Sequence, residues 1–82
     1  MWCVYVLQCA DGTLYTGITN DLEARLRSHA QGTGAKYTRG RGPFSVMHQE
    51  CCASKSEALQ REHQIKSLSR AEKLALCAAN SA

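Results

Sequence analysis

Three absences frame this chain of 82 residues: no acidic residue between Glu23 and Glu50, no C-x-x-C pair among five cysteines, and no long apolar run. The cysteines Cys3, Cys9, Cys51, Cys52 and Cys77 are odd in number and lack the spacing of a zinc site or a disulfide framework. Adjacent Cys51 and Cys52 point to opposite faces if extended, which is poor geometry for chelation. They read as free thiols of a reducing cytosol. No apolar stretch approaches the roughly 18 residues that a membrane span needs. The N-terminal Met1-Trp2-Cys3-Val4-Tyr5 has no basic n-region of an export signal. The expected location is therefore cytoplasmic, with no membrane partner. A Ser/His/Asp triad, an H-E-x-x-H, a P-loop and a dinucleotide fingerprint are all missing, as is any internal repeat. The length predicts one domain over residues 1–82, with a thin core, since a chain this short buries only about 60–65% of its unfolded surface.

What is present is a localised basic excess. The net charge is only +3, from ten Lys and Arg against seven Asp and Glu. The stretch without acids, however, holds Arg25, Arg27, Lys36, Arg39 and Arg41. Within it, Gln31 to Pro43 is glycine-rich and lacks apolar periodicity, so it reads as a long loop. Loops of about 12 or more residues are usually functional or disordered. Glycine lets backbone N–H groups approach a ligand, Lys36, Arg39 and Arg41 can neutralise phosphate, and Tyr37 can stack on a base. The plain alternative is a solvated basic loop without a partner.

The pattern of elements is β-β-α-β-α-α. Trp2–Cys9 and Thr13–Gly17 are β-branched and aromatic, with Ala10-Asp11-Gly12 between them, which predicts a hairpin. A three-residue loop with Gly12 in the left-handed position sets Leu7 opposite Tyr15 and Tyr5 opposite Gly17. That register puts Tyr5 and Tyr15 diagonally on one face. Asn20 followed by Glu23 predicts a helix to about Ala30, with Leu22, Arg25, Leu26 and His29 on one stripe. Phe44–Cys51 reads as a third strand with weak alternation. Capping boxes at Ser54/Glu57 and Ser69/Glu72 predict helices to about Leu68 and about Ala79. The first of these carries Ala58, Ile65 and Leu68 as its apolar stripe, and the second Ala71, Leu74 and Cys77. The predicted fold is α+β, a small three-stranded antiparallel sheet with packed helices.

Singly, each candidate residue has a plain explanation. A strand tyrosine is usually core, Arg25 can snorkel, and His29 can complement a helix dipole. Glu62 is harder to dismiss. It sits within the apolar stripe, where a carboxylate is costly unless paired, for instance with an arginine, or bound to metal. Together, two tyrosines on one face, an arginine on the next helix and an inward carboxylate form a site suited to a phosphodiester.

These residues resemble the GIY-YIG nuclease superfamily. Cys3-Val4-Tyr5 and Tyr15-Thr16-Gly17, ten residues from tyrosine to tyrosine, resemble its paired motif. Arg25 falls ten residues after Tyr15, where the family has its arginine, and His29 follows four later. Glu62, within Ala58-Leu59-Gln60-Arg61-Glu62-His63-Gln64-Ile65-Lys66, is similar to the family's metal-binding glutamate. The runs Gly34 to Gly40 and Ser67 to Lys73 resemble the small stand-alone YhbQ-like members. Cys3, Val4 and Thr16 depart from the motif at backbone or packing positions.

The resemblance implies a metal-dependent nuclease that hydrolyses phosphodiester bonds in nucleic acid, with DNA ahead of RNA. The alternative is a catalytically silent nucleic-acid-binding module. It also implies one divalent ion, Mg²⁺ or Mn²⁺, held by Glu62 with waters. Arg25 would neutralise the phosphate in the transition state. Tyr15 would accept a proton from the attacking water, or orient it, and Tyr5 would position water or phosphate. His29 would relay the proton or only bind phosphate. Lys36, Arg39 and Arg41 would contact flanking phosphates, giving salt-sensitive affinity. With no room for a separate recognition domain in 82 residues, backbone and shape should be read more than base sequence.

Overall fold

The tight link at Ala10-Asp11-Gly12 organises the first half of the chain. In the computed structural model, which describes residues 1–32 and 42–80, Cys9 N–H donates to Thr13 C=O at 2.8 Å and Gly12 N–H to Cys9 C=O at 2.9 Å. Gly12 has φ +86°, a conformation that glycine adopts without a Cβ penalty. Asp11 rigidifies the loop by accepting from the Thr13 N–H and hydroxyl. The strands are β1, Trp2–Gln8, and β2, Leu14–Thr19, paired antiparallel with Leu7 opposite Tyr15 and Tyr5 opposite Gly17. This is the register expected from the three-residue loop.

The remaining elements are α1 (Leu22–Ala30), β3 (Ser45–Cys52), α2 (Lys55–Lys66) and α3 (Arg70–Asn80). The sheet order is β2-β1-β3, antiparallel throughout, so the predicted α+β fold is the observed one. In β3 the register slips between Val6 and Leu7, leaving Met47 as an extra residue. This bulge explains the weak alternation of the sequence there.

The caps differ in one place from expectation. Asp21, not Asn20, caps α1, its carboxylate accepting from Ala24 N–H, while the Thr19 hydroxyl accepts from Asp21 N–H. Ser54 and Ser69 cap α2 and α3 as predicted, and Glu72 completes the second box by accepting from Ser69 N–H.

One sheet face carries Val4 and Val6 of β1, buried against Ala58 and Ile65 of α2 and Cys77 of α3. Arg61 pins α2 to β3 through a fork onto Glu50, with Nε 2.9 Å from Oε1 and Nη2 3.0 Å from Oε2. His48 adds a third contact to that carboxylate at 2.6 Å. The buried face of α3 is rotated from the predicted Ala71/Leu74/Cys77 stripe. Leu74 is 37% exposed, and Leu76 packs beside Cys77 instead. No helix among the described residues is long and apolar enough to cross a membrane.

Candidate phosphodiester site

The opposite sheet face carries Tyr5 and Leu7 of β1 with Gly17 and Tyr15 of β2, since side chains alternate along each strand. Tyr5 lies across Gly17. A Cβ there would stand 2.7 Å from the Tyr5 hydroxyl oxygen and 2.9 Å from Tyr15 Cε2. The motif glycine is therefore space for the two rings, which sit 6.2 Å apart between centroids.

Helix α1 covers this face with its last turn. His29 is 1% exposed and packs edge-on against Tyr5, Tyr15 and Phe44 at 5.9, 5.3 and 5.9 Å. Its Nε2 lies 2.9 Å from the Tyr5 hydroxyl. One turn earlier, Arg25 Nε donates to that same hydroxyl at 3.3 Å, and the guanidinium also engages Tyr15. Burial pushes the Tyr5 phenol up, and burial followed by the charge of Arg25 pushes the His29 imidazole down. Both groups are therefore neutral near pH 7. Arg25 can only donate, so the Tyr5 oxygen accepts from its Nε. The hydrogen bond that Arg25 donates to Tyr5 pushes its guanidinium up.

This produces two layers. Tyr5, fully buried, and His29 form the inner one. Tyr15 and Arg25 are half-buried and border the surface. Glu62 comes from α2, which packs on both β1 and β2. Its charge is felt at Tyr5, adding to the upward push. The carboxylate is 19% exposed and pairs with Lys66 one turn on, Oε2 to Nζ at 3.5 Å. The structural pairing with an arginine is not found among the described residues; the adjacent Arg61 serves Glu50 instead.

The structure thus groups Tyr5, Tyr15, Arg25 and His29 directly and brings Glu62 within electrostatic reach. Lys36, Tyr37, Arg39 and Arg41 lie outside the described residues. Two contributors escaped the sequence reading. Phe44 closes the far side of His29, and only its position beside Pro43 marks it in the sequence. Lys66 neutralises Glu62, and its signal was the i,i+4 spacing.

The donor set of Glu62 fits one kind of ion. Among the described residues, no three His, Cys, Asp or Glu gather as a cage. A lone hard carboxylate that already holds an ammonium matches a cation of the Mg²⁺ type, which keeps several waters and takes one or two carboxylates together with substrate phosphate.

A small antiparallel sheet bears a tyrosine pair, and the following helix lays an arginine fork on it. The chain belongs to the GIY-YIG family: the family described as the GIY-YIG catalytic domain, a nuclease superfamily, matches residues 1–75. It is 61% identical over 75 residues to a UPF0213 protein of Natronomonas pharaonis, covering 92% of this chain and 88% of that one. It is 58% identical over 73 residues to a UPF0213 protein of Halobacterium salinarum, covering 89% and 95%. The solution structure of a UPF0213 protein from Bacillus halodurans superposes with TM-score 0.62 at 48% identity, over 96% of this chain and 85% of that one. That of a protein from E. faecalis gives 0.64 at 40% identity, over 94% and 82%. A small stand-alone member of the family fits these relatives, whose names state no activity.

Proposed function

We propose that this chain is a metal-dependent nuclease acting on nucleic acid in the cytoplasm, with DNA ahead of RNA as substrate. The observation that carries the reading is the placement of Arg25, whose guanidinium donates to the buried Tyr5 hydroxyl while bordering the surface beside Tyr15. A planar fork of donors suits the oxygens of a phosphodiester that gains charge as it reacts.

Hydrolysis forms a bond from a water oxygen to phosphorus and breaks one P–O ester bond, leaving a phosphate monoester and a hydroxyl. Tyr15 is the surface-bordering phenol, placed to orient that water or take its proton. Tyr5 and His29 are positioning residues: Tyr5 holds the guanidinium from beneath, His29 holds Tyr5, and both, being neutral, do not compete with substrate for it. Glu62 would hold Mg²⁺ or Mn²⁺, and such an ion supplies charge stabilisation at the phosphate and the leaving oxygen.

The test is a panel of labelled single- and double-stranded DNA and RNA, incubated with Mg²⁺, Mn²⁺ or EDTA, for the unmodified chain and for Arg25→Ala and Glu62→Gln. Cleavage that needs the ion and both side chains supports the reading. Cleavage indifferent to EDTA and to both substitutions overturns it. Salt-sensitive binding without any product would instead identify a silent nucleic-acid-binding module.

A further inference from the structure

Strand β2 is the edge of the sheet, and beside it the end of α2 and the start of α3 leave an open cleft of about 380 Å³. Leu14, Tyr15, Thr16, Lys66 and Lys73 line it. A second hollow of about 200 Å³, lined by Thr13, Leu14, Arg70 and Lys73, shares two of these residues, so the two read as one groove along β2. Three cations border it, and no carboxylate is among its described lining residues. The acids nearest in sequence are engaged: Glu62 with Lys66, Asp11 with Thr13, and Glu72 in the α3 cap. Arg70 is fixed by donating from Nη2 to Gly12 C=O at 2.9 Å, which ties α3 to the hairpin loop. An edge strand also presents outward N–H groups without sheet partners.

We propose that this groove binds the phosphate backbone of the nucleic-acid substrate beside the reacting phosphodiester. The inference rests on the nuclease reading for what the substrate is. Tyr15 belongs to both the groove and the candidate site, and Lys66 joins the groove to Glu62. A strand whose reacting phosphate lies at Arg25 and Tyr15 would therefore place a neighbouring phosphate at Lys66 and Lys73. Each such contact is electrostatic and indifferent to base identity. Its cations are different residues from Lys36, Arg39 and Arg41, which the sequence alone marks as phosphate contacts.

The experiment measures equilibrium binding of a fluorescein-labelled 20-base-pair DNA duplex, of about that length so that one groove is spanned, by the full chain in EDTA. Anisotropy is followed over a salt series for the unmodified chain, Lys66→Ala, the double variant Lys66→Ala/Lys73→Ala, and Lys55→Ala. Lys55 is a control cation at the other end of α2, over the Trp2 ring. Circular dichroism establishes that each variant is folded. The slope of log affinity against log salt should fall in magnitude by roughly 1 for the single variant and roughly 2 for the double one, with affinity near 0.1 M salt down about tenfold in the double. Lys55→Ala should match the unmodified chain. An unchanged slope in the double variant overturns the groove, as does an equal loss in Lys55→Ala or an unmodified chain that does not bind the duplex. The readout involves no turnover. A chain that binds through these lysines but cuts nothing defeats the nuclease reading and leaves the groove standing.

Discussion

Gly17 and Tyr5 face each other across the hairpin, and the Tyr5 hydroxyl occupies the volume that a side chain at 17 would need, 2.7 Å from where its Cβ would lie. The glycine is required here by close approach. Tyr5 cannot yield freely, because it is fully buried and its oxygen is held by Arg25 and His29. Gly17→Ala should therefore lower stability by about 1–3 kcal/mol, the usual cost of overpacking. Adding Tyr5→Phe removes the atom nearest the new methyl, so the double variant should lose less than the sum of the single losses. Urea denaturation of the four chains checks this. Strict additivity would refute the contact.

The Arg25 fork makes a kinetic prediction. Lysine at position 25 keeps the charge but cannot hold the Tyr5 hydroxyl through one nitrogen while presenting others in a plane. Arg25→Lys should reduce the single-turnover cleavage rate about 10²-fold or more, as loss of an oriented transition-state donor does. Tyr5→Phe should also slow cleavage although Tyr5 reaches no solvent, because Arg25 and His29 both lose their shared partner. Rates for Tyr5→Phe equal to those of the unmodified chain would show that Arg25 is held by other means.

Much of this was legible in the residues, for reasons that can be named. Glycine at the third loop position selects the hairpin register, and the register alone puts Tyr5 and Tyr15 on one face. Serine with glutamate three residues on marked both later helix starts. The misreadings came where neighbours compete on equal terms. Asn20 and Asp21 are equally good caps, and the choice went to Asp21 because Thr19 secures its N–H. On α3, Leu74 and Leu76 lie on nearly opposite sides of the helix, and Cys77 neighbours both faces. Packing against β3 decided between them, and Lys73 can lie at the border with its stem buried. Tyr5 read as core simply as a strand tyrosine, but that His29 and Phe44, from distant parts of the chain, close its face was not legible.

The Glu50–Arg61 fork predicts an acid response. Hydrogen bonds from Arg61, and secondarily from His48, hold the Glu50 carboxyl below its ordinary value. The stability this contributes is fully present above the ordinary carboxylate value of about 4.3 and is lost as pH falls through the lowered folded value. Arg61→Gln should cost about 1 kcal/mol at pH 7, a modest figure because the guanidinium is 34% exposed and screened by water. The same variant should lose less stability than the unmodified chain between pH 5 and pH 2. Urea titrations across that range measure both, and parallel acid profiles would discard the linkage.

His29 sets a second, separate window with a different direction of cause. Its folded value lies below the ordinary histidine value of about 6.5, because burial and the Arg25 charge disfavour the imidazolium. Between the two values the unfolded chain binds more protons than the folded one, so stability rises with pH there. Acidification through about 6.5 should therefore weaken the fold, by at most about 1.4 kcal/mol per pH unit for this one group, and the loss should level off below the folded value. This precedes the Glu50 window on the way down. His29→Gln keeps a hydrogen-bonding group for the Tyr5 hydroxyl but cannot titrate. Whatever its absolute stability, its profile between pH 7 and pH 5 should be flatter than that of the unmodified chain. Equal slopes would mean that the imidazole charges in the folded chain without penalty.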